Sequence, residues 1–191
     1  MEKSVLMAGF GGQGVMTIGQ IVGYAATHIG LKATYFPSYG AEQRGGTANC
    51  TVVISDEEIG SPIRNQLDAV IAMNEPSLIR FAEYVKEDGM LLINSSLIHS
   101  DVIDKSVRVV RIPAGEIAYK IGNEKSANLV MLGAYIAIIK TIDPEIIRLM
   151  ISEKLGKSPD LKIKNLLAFE AGINEVDFKG EFINDYTFKK G

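Results

Sequence analysis

Val5-Leu6-Met7-Ala8-Gly9-Phe10-Gly11-Gly12-Gln13-Gly14-Val15 is the stretch on which the fold turns. The apolar run from Val5 to Ala8 reads as a buried strand, and a helical pattern begins at Val15. Gly9, Gly11 and Gly14 meet the G-x-G-x-x-G spacing in the context that gives it meaning, a strand before and a helix after. The N–H groups at the start of that helix are then available to an anion. The same glycines also serve a plain tight turn that lets helix and sheet pack closely. The motif alone therefore predicts a phosphate site without assigning a function.

Working outward, Val15, Ile18, Val22, Ala25, Ala26 and Ile29 recur at helical spacing, with Gly30 placed as a stop. Residues 31–36 read as a second strand. The run Pro37-Ser38-Tyr39-Gly40-Ala41-Glu42-Gln43-Arg44-Gly45-Gly46 follows neither period and reads as a loop. Residues 47–55 are β-branched and strand-like, and the turn Asp56-Glu57-Glu58 suggests a hairpin with 59–62, which would make the sheet mixed. Asp68 to Met73 is a buried-type strand ending at Asn74, and Glu75-Pro76 opens a helix reaching about residue 85. Asp88-Gly89 turns into a strand over 90–94, a polar link covers 95–105, and 107–111 is a further strand.

The remainder is mostly helical, over 114–121, 126–140 and 144–155, where Asp143 is placed as an N-cap. Lys157-Ser158-Pro159 breaks the pattern before a last helix over 161–172 and a polar tail with scattered aromatics. The expected architecture is α/β: a three-layer α/β/α, Rossmann-like domain with a mostly parallel, mixed central sheet. Residues 1–191 form one domain in this reading, with 143–191 a mainly helical C-terminal extension. No internal repeat or low-complexity segment is visible.

Composition narrows the function. The chain has 191 residues, 47% of them hydrophobic, and a net charge of −3. With a pI near 5.5 and no cluster of lysine and arginine, nucleic acid and anionic membranes are poor partners. A small molecule or another protein is the better expectation. Cys50 is the single cysteine, so the chain can form no internal disulfide, and any iron–sulfur cluster belongs to another chain. The N-terminus lacks a signal-peptide pattern, and the longest apolar run, 129–139, is too short for a bilayer; both point to the cytoplasm.

The candidate sites are unequal. A self-contained NAD site wants an acid at the end of the second strand, and that end reads Phe36-Pro37-Ser38, with no carboxylate before Glu42. No phosphate-loop lysine pattern occurs either. Arg44-Gly45-Gly46 offers a guanidinium fork beside backbone that a ligand can approach, or else an arginine pairing with Glu42 or a neighbouring subunit. Asn74 sits at the carboxyl end of a central strand, where open α/β sheets bind ligands, and also suits an ordinary helix cap. Cys50 reads as an inert buried thiol, and His28 and His99 are isolated, so no metal site is expected. The inventory holds anion-binding equipment but no general base, nucleophile or metal cage.

Four blocks in register carry a resemblance: Ala8 to Val15, Pro37 to Cys50, Asp68 to Pro76, and Ala127-Asn128-Leu129-Val130-Met131-Leu132-Gly133. Together they resemble the gamma subunit of 2-oxoacid:ferredoxin oxidoreductases. The likeness runs from Ser4 to Lys140 and is less distinctive beyond Asp143. It implies a place in a complex that decarboxylates a 2-oxoacid oxidatively, transfers the acyl group to coenzyme A and reduces ferredoxin. Thiamine diphosphate is then expected on the alpha and beta subunits, and Mg2+ and the [4Fe–4S] clusters on partner subunits only, with delta a further candidate partner.

Carried over by position, Gly9, Gly11, Gly12, Gln13, Gly14, Ser38, Arg44, Gly45, Gly46 and Asn74 are implied to line the coenzyme A side, and none of them is catalytic. The wording of the second block is most similar to the 2-oxoglutarate and branched-chain branches, with 2-oxoglutarate the leading expectation. The pyruvate branch is less similar, and indolepyruvate oxidoreductases share the glycine loop. The isolated chain is expected to be inactive and able to form a homodimer. Two alternatives stand beside this reading: a free-standing Rossmann-like nucleotide-binding oxidoreductase, and a purely structural subunit.

Overall fold

The computed structural model describes residues 1–39, 47–100 and 107–179. Among these, six strands form one sheet in the order β2-β3-β1-β4-β5-β6. Strand β1 (Glu2–Phe10) lies inside it, pairing antiparallel with β3 (Thr47–Ser55) and parallel with β4 (Leu67–Ala72). On one flank β2 (Lys32–Tyr39) pairs antiparallel with β3. On the other, β5 (Val85–Asn94) and β6 (Arg108–Ile112) continue the parallel part. Residues Ser4 to Gly9 are buried without interruption, as expected of a strand covered on both faces.

Alternation along β1 divides the core. Val5 and Met7 join the cluster formed with α1 (Val15–His28), α3 (Ala114–Ile121), α4 (Ala127–Ile139), α5 (Pro144–Leu155) and α6 (Pro159–Lys179). Leu6 and Ala8 face a smaller cluster that includes Leu78 and Phe81 of α2 (Glu75–Phe81) and Ile98. The expected three layers are present, one much thicker than the other. Helix α4 is buried from Asn128 to Ile136, because it lies between the rest of this layer and α6. At that crossing a Cβ on Gly133 would lie 2.1 Å from the Phe169 carbonyl oxygen, and one on Gly172 would lie 1.9 Å from that of Val130. Only glycine permits so close a contact.

Several boundaries differ from the sequence reading for identifiable reasons. Residues 59–62 form no strand, because β3 already uses both of its edges on β1 and β2. Pro37, Ser38 and Tyr39 belong to β2, not to a loop; β2 is an edge strand, where a residue without an N–H is tolerated. Helix α2 stops at Phe81, a 3-10 turn spans Ala82–Tyr84, and buried Val85 already starts β5. Asp88, at φ 60°, and Gly89 make an irregularity within that strand, matched by a register shift against β4 between Leu67 and Ala69. Ile29 is 41% exposed, outside the buried stripe of α1. Helix α6 starts at Pro159 and runs through Gly172, which serves the crossing with α4 and is no stop.

Candidate functional site

The glycine turn is closed by its own glutamine. Gln13 N donates to the Phe10 carbonyl at 3.1 Å, and Phe10 N donates to Gln13 Oε1 at 2.7 Å. Gly14 is the N-cap of α1 at φ 73°, a left-handed conformation in which a Cβ would also stand 2.3 Å from Asn128 Nδ2. No side chain caps this helix and its first turn carries no acid. The leading N–H groups of α1 therefore keep no side-chain acceptor of their own, which is the equipment an anion site needs. The Gly14 carbonyl instead accepts from Ile18 N at 3.2 Å and from Asn128 Nδ2 at 3.0 Å, so α4 holds the start of α1 in place.

Asn74 connects this turn to the next element. Its Oδ1 accepts from Ser77 N at 3.0 Å, capping α2, and its Nδ2 donates to Gln13 Oε1 at 2.7 Å. The cap reading and the ligand-edge reading of Asn74 are thus both compatible with one geometry. One strand further, Asn94 Nδ2 donates to the Met73 carbonyl at 3.3 Å, and Ser96 N donates to Asn94 Oδ1 at 3.3 Å. Side-chain amides at the carboxyl ends of β4 and β5 and the closing glutamine after β1 form a polar row along one edge of the sheet.

A cleft of about 620 Å³ opens on this row, within the range of small-molecule sites. Gly12, Gln13, Met73, Asn94 and Ser96 form one wall; Gly115, Glu116, Tyr119, Lys120, Glu124, Lys125 and Ala127 form the other, with Leu97 between. Of the residues expected at the site, Gly12 and Gln13 line the cleft, while Asn74 is buried behind it and reaches it only through its hydrogen bond to Gln13. Gly9 is buried beneath the turn, where a Cβ would stand 2.8 Å from Gln13 Oε1, so its role is packing. Gly11 is exposed with open space around it. Ser38 pairs with Asn49, which pairs with Ala8, so it lies two strands from β1 and is absent from the cleft lining. Arg44, Gly45 and Gly46 lie outside the described residues.

Sequence reasoning missed the second wall. Asn94 ends a predicted strand as Asn74 does, so the same edge rule could have found it. Tyr119, Lys120 and Lys125 form no local pattern; the fold of α3 and the following turn alone brings them to the cleft. Cys50 is fully buried, donating to the Val15 carbonyl at 3.4 Å, and burial pushes its thiol up to about 12. Among the described residues no group of three or more His, Cys, Asp or Glu side chains could hold a metal ion. Nor is any described helix long and apolar enough to cross a membrane.

The sequence and fold match known proteins. Residues 4–175 match the family model of pyruvate ferredoxin/flavodoxin oxidoreductase. The chain is 41% identical over 172 residues to ketoisovalerate oxidoreductase subunit VorA of Methanothermobacter thermautotrophicus, covering 90% of this chain and 36% of that protein. It thus spans just over a third of the length of that relative. It is 34% identical over 191 residues to 2-oxoglutarate synthase subunit KorC of Methanothermobacter marburgensis, covering 95% of this chain and 100% of the relative. The crystal structure of the keto/oxoacid ferredoxin oxidoreductase gamma subunit from Geobacter sulfurreducens superposes with a TM-score of 0.83 at 26% identity, covering 93% of this chain and 98% of the other. With the matched region running from β1 into α6, this chain belongs to the pyruvate ferredoxin/flavodoxin oxidoreductase family, as a domain of the gamma-subunit type.

Proposed function

We propose that this chain is the accessory, non-catalytic part of a 2-oxoacid:ferredoxin oxidoreductase and that its cleft contributes to the coenzyme A site. The observation that carries this reading is the uncapped start of α1, held by Gln13, Asn74 and Asn128 beside a cleft that also carries two lysines. Such a site can hold phosphate groups. Coenzyme A supplies a thiol to which an acyl group is transferred; this chain binds and orients its phosphate-bearing part. Thiamine diphosphate belongs to the alpha and beta partners in this reading, Mg2+ and the [4Fe–4S] clusters to partner subunits rather than to this chain, and ferredoxin receives the electrons. The cytoplasm is the proposed compartment.

The test uses the chain alone and the complex that co-purifies with it. The complex reduces a viologen dye with a 2-oxoacid and coenzyme A, and the isolated chain does not. Viologen reduction by the isolated chain would overturn the assignment. For the 2-oxoacid, the end-to-end match with KorC supports 2-oxoglutarate. A second reading, a branched-chain 2-oxoacid, rests on the higher identity with VorA. Ratios of kcat/KM for 2-oxoglutarate and 2-oxoisovalerate in the complex separate the two.

A further inference from the structure

The second wall of the cleft carries features that the glycine turn does not require. Tyr119 on α3 is 71% exposed, and Lys120 and Lys125 are exposed beside it. These residues and Glu124 also line an adjoining depression of about 760 Å³ that reaches Gly122 and Asn123. They therefore stand at the middle of an elongate groove that begins at Gly12 and Gln13. Neither ammonium has a partner among the described residues, although Glu116 precedes Lys120 by four positions on α3, the spacing at which helical ion pairs form. The grouping sets an exposed aromatic face beside two cations that no described acid pairs. It matches a flat heterocycle joined to a phosphate, because the ring stacks on such a heterocycle and each ammonium acts as a point charge for phosphate. Glu116 and Glu124 on the same rim are acceptors suited to ribose hydroxyls or an exocyclic amine.

We propose that Tyr119, Lys120 and Lys125 form a nucleotide-reading subsite that stacks an adenine and binds its ribose 3′-phosphate, so that this chain distinguishes 3′-phosphorylated from unphosphorylated carriers. The inference rests on the reading that the cleft takes coenzyme A. In an extended ligand so placed, the diphosphate lies toward the glycine turn and the start of α1.

Steady-state kinetics of the complex with coenzyme A and with 3′-dephospho-coenzyme A test it. The expected result is a kcat/KM preference for coenzyme A of about tenfold or more, from charge-assisted contacts to one dianionic group. In the double variant Lys120→Ala/Lys125→Ala this preference disappears, while Lys120→Arg/Lys125→Arg retains most of it. Tyr119→Ala weakens both carriers alike. A double variant that keeps the wild-type preference, or a wild type with none, overturns the subsite and leaves the general coenzyme A reading standing. A complex whose reaction does not consume coenzyme A overturns both.

Discussion

Asn74 Nδ2 donates to Gln13 Oε1 at 2.7 Å, so the residue that caps α2 also fixes the side chain that closes the glycine turn. The cap bond is hard to replace by water, since Ser77 is fully buried and Asn74 is 3% exposed; Gln13 is half-buried at the cleft. Asn74→Ala removes the cap and the link together and is expected to cost about 1–3 kcal/mol, read as a lower melting temperature. Asn74→Asp is the sharper variant: it keeps an acceptor for Ser77 N and sets an oxygen against Gln13 Oε1. It should therefore melt above the alanine variant while losing as much coenzyme A affinity in the complex. Equal, wild-type KM values for coenzyme A in both variants would separate this pair from the site.

Much of this arrangement was legible in the chain, and the exceptions have physical causes. The strand, glycine turn and helix around Gly9–Gly14 announce themselves because local periodicity and backbone freedom are written in adjacent residues. Asn74 was visible for the same reason, as the polar end of an apolar run. The pairing partner of β3 was not, since the choice between β1 and a local hairpin is made by a free sheet edge, a tertiary fact. The sequence reading ends the last helix at Gly172, which is a contact point inside it, because its meaning depends on Val130 forty-two positions earlier. Tyr119, Lys120 and Lys125 likewise gain their place only from where α3 packs.

That helix crossing gives a prediction with a built-in contrast. Gly172→Ala puts a methyl group against the Val130 carbonyl and must separate α4 from α6, at a cost of at least about 3 kcal/mol. Gly23→Ala lies inside α1, where a Cβ meets nothing within 4 Å. There the same substitution should stabilise by about 0.5–1 kcal/mol, through reduced freedom of the unfolded chain. Denaturant midpoints of the two variants should move in opposite directions. A Gly172→Ala midpoint equal to the wild type would show that α6 does not pack on α4 at these glycines.

Cys50 should report on folding rather than on activity. Its thiol is fully buried and held up to about 12, with Gly19 backing onto its sulfur, so near neutral pH the native chain offers almost no thiolate. Alkylation by iodoacetamide is expected only as the chain opens, with a rate that rises with denaturant in parallel with the unfolded fraction. Rapid stoichiometric labelling of Cys50 in the native complex would contradict its burial.

Asp68 ties the amino-terminal ends of the parallel strands, and its titration sets the acid limb of stability. Burial alone would raise its pKa, but hydrogen bonds from the Lys86 ammonium and from the Ser4 hydroxyl and backbone N–H outweigh it and hold the carboxyl below its ordinary 3.8. A group whose folded pKa is depressed contributes stability that is complete above its unfolded pKa and is lost as pH falls through the folded value. The loss therefore falls below about pH 4. Asp68→Asn should lower stability near pH 7 by about 1 kcal/mol, allowing for solvent screening of the exposed lysine, and flatten the dependence on pH in the acid range. Melting temperatures of the wild type and the variant should then converge as the pH falls through the acid range. A constant gap between the two curves across that range would show that the Asp68 charge contributes nothing to the join between β1, β4 and β5.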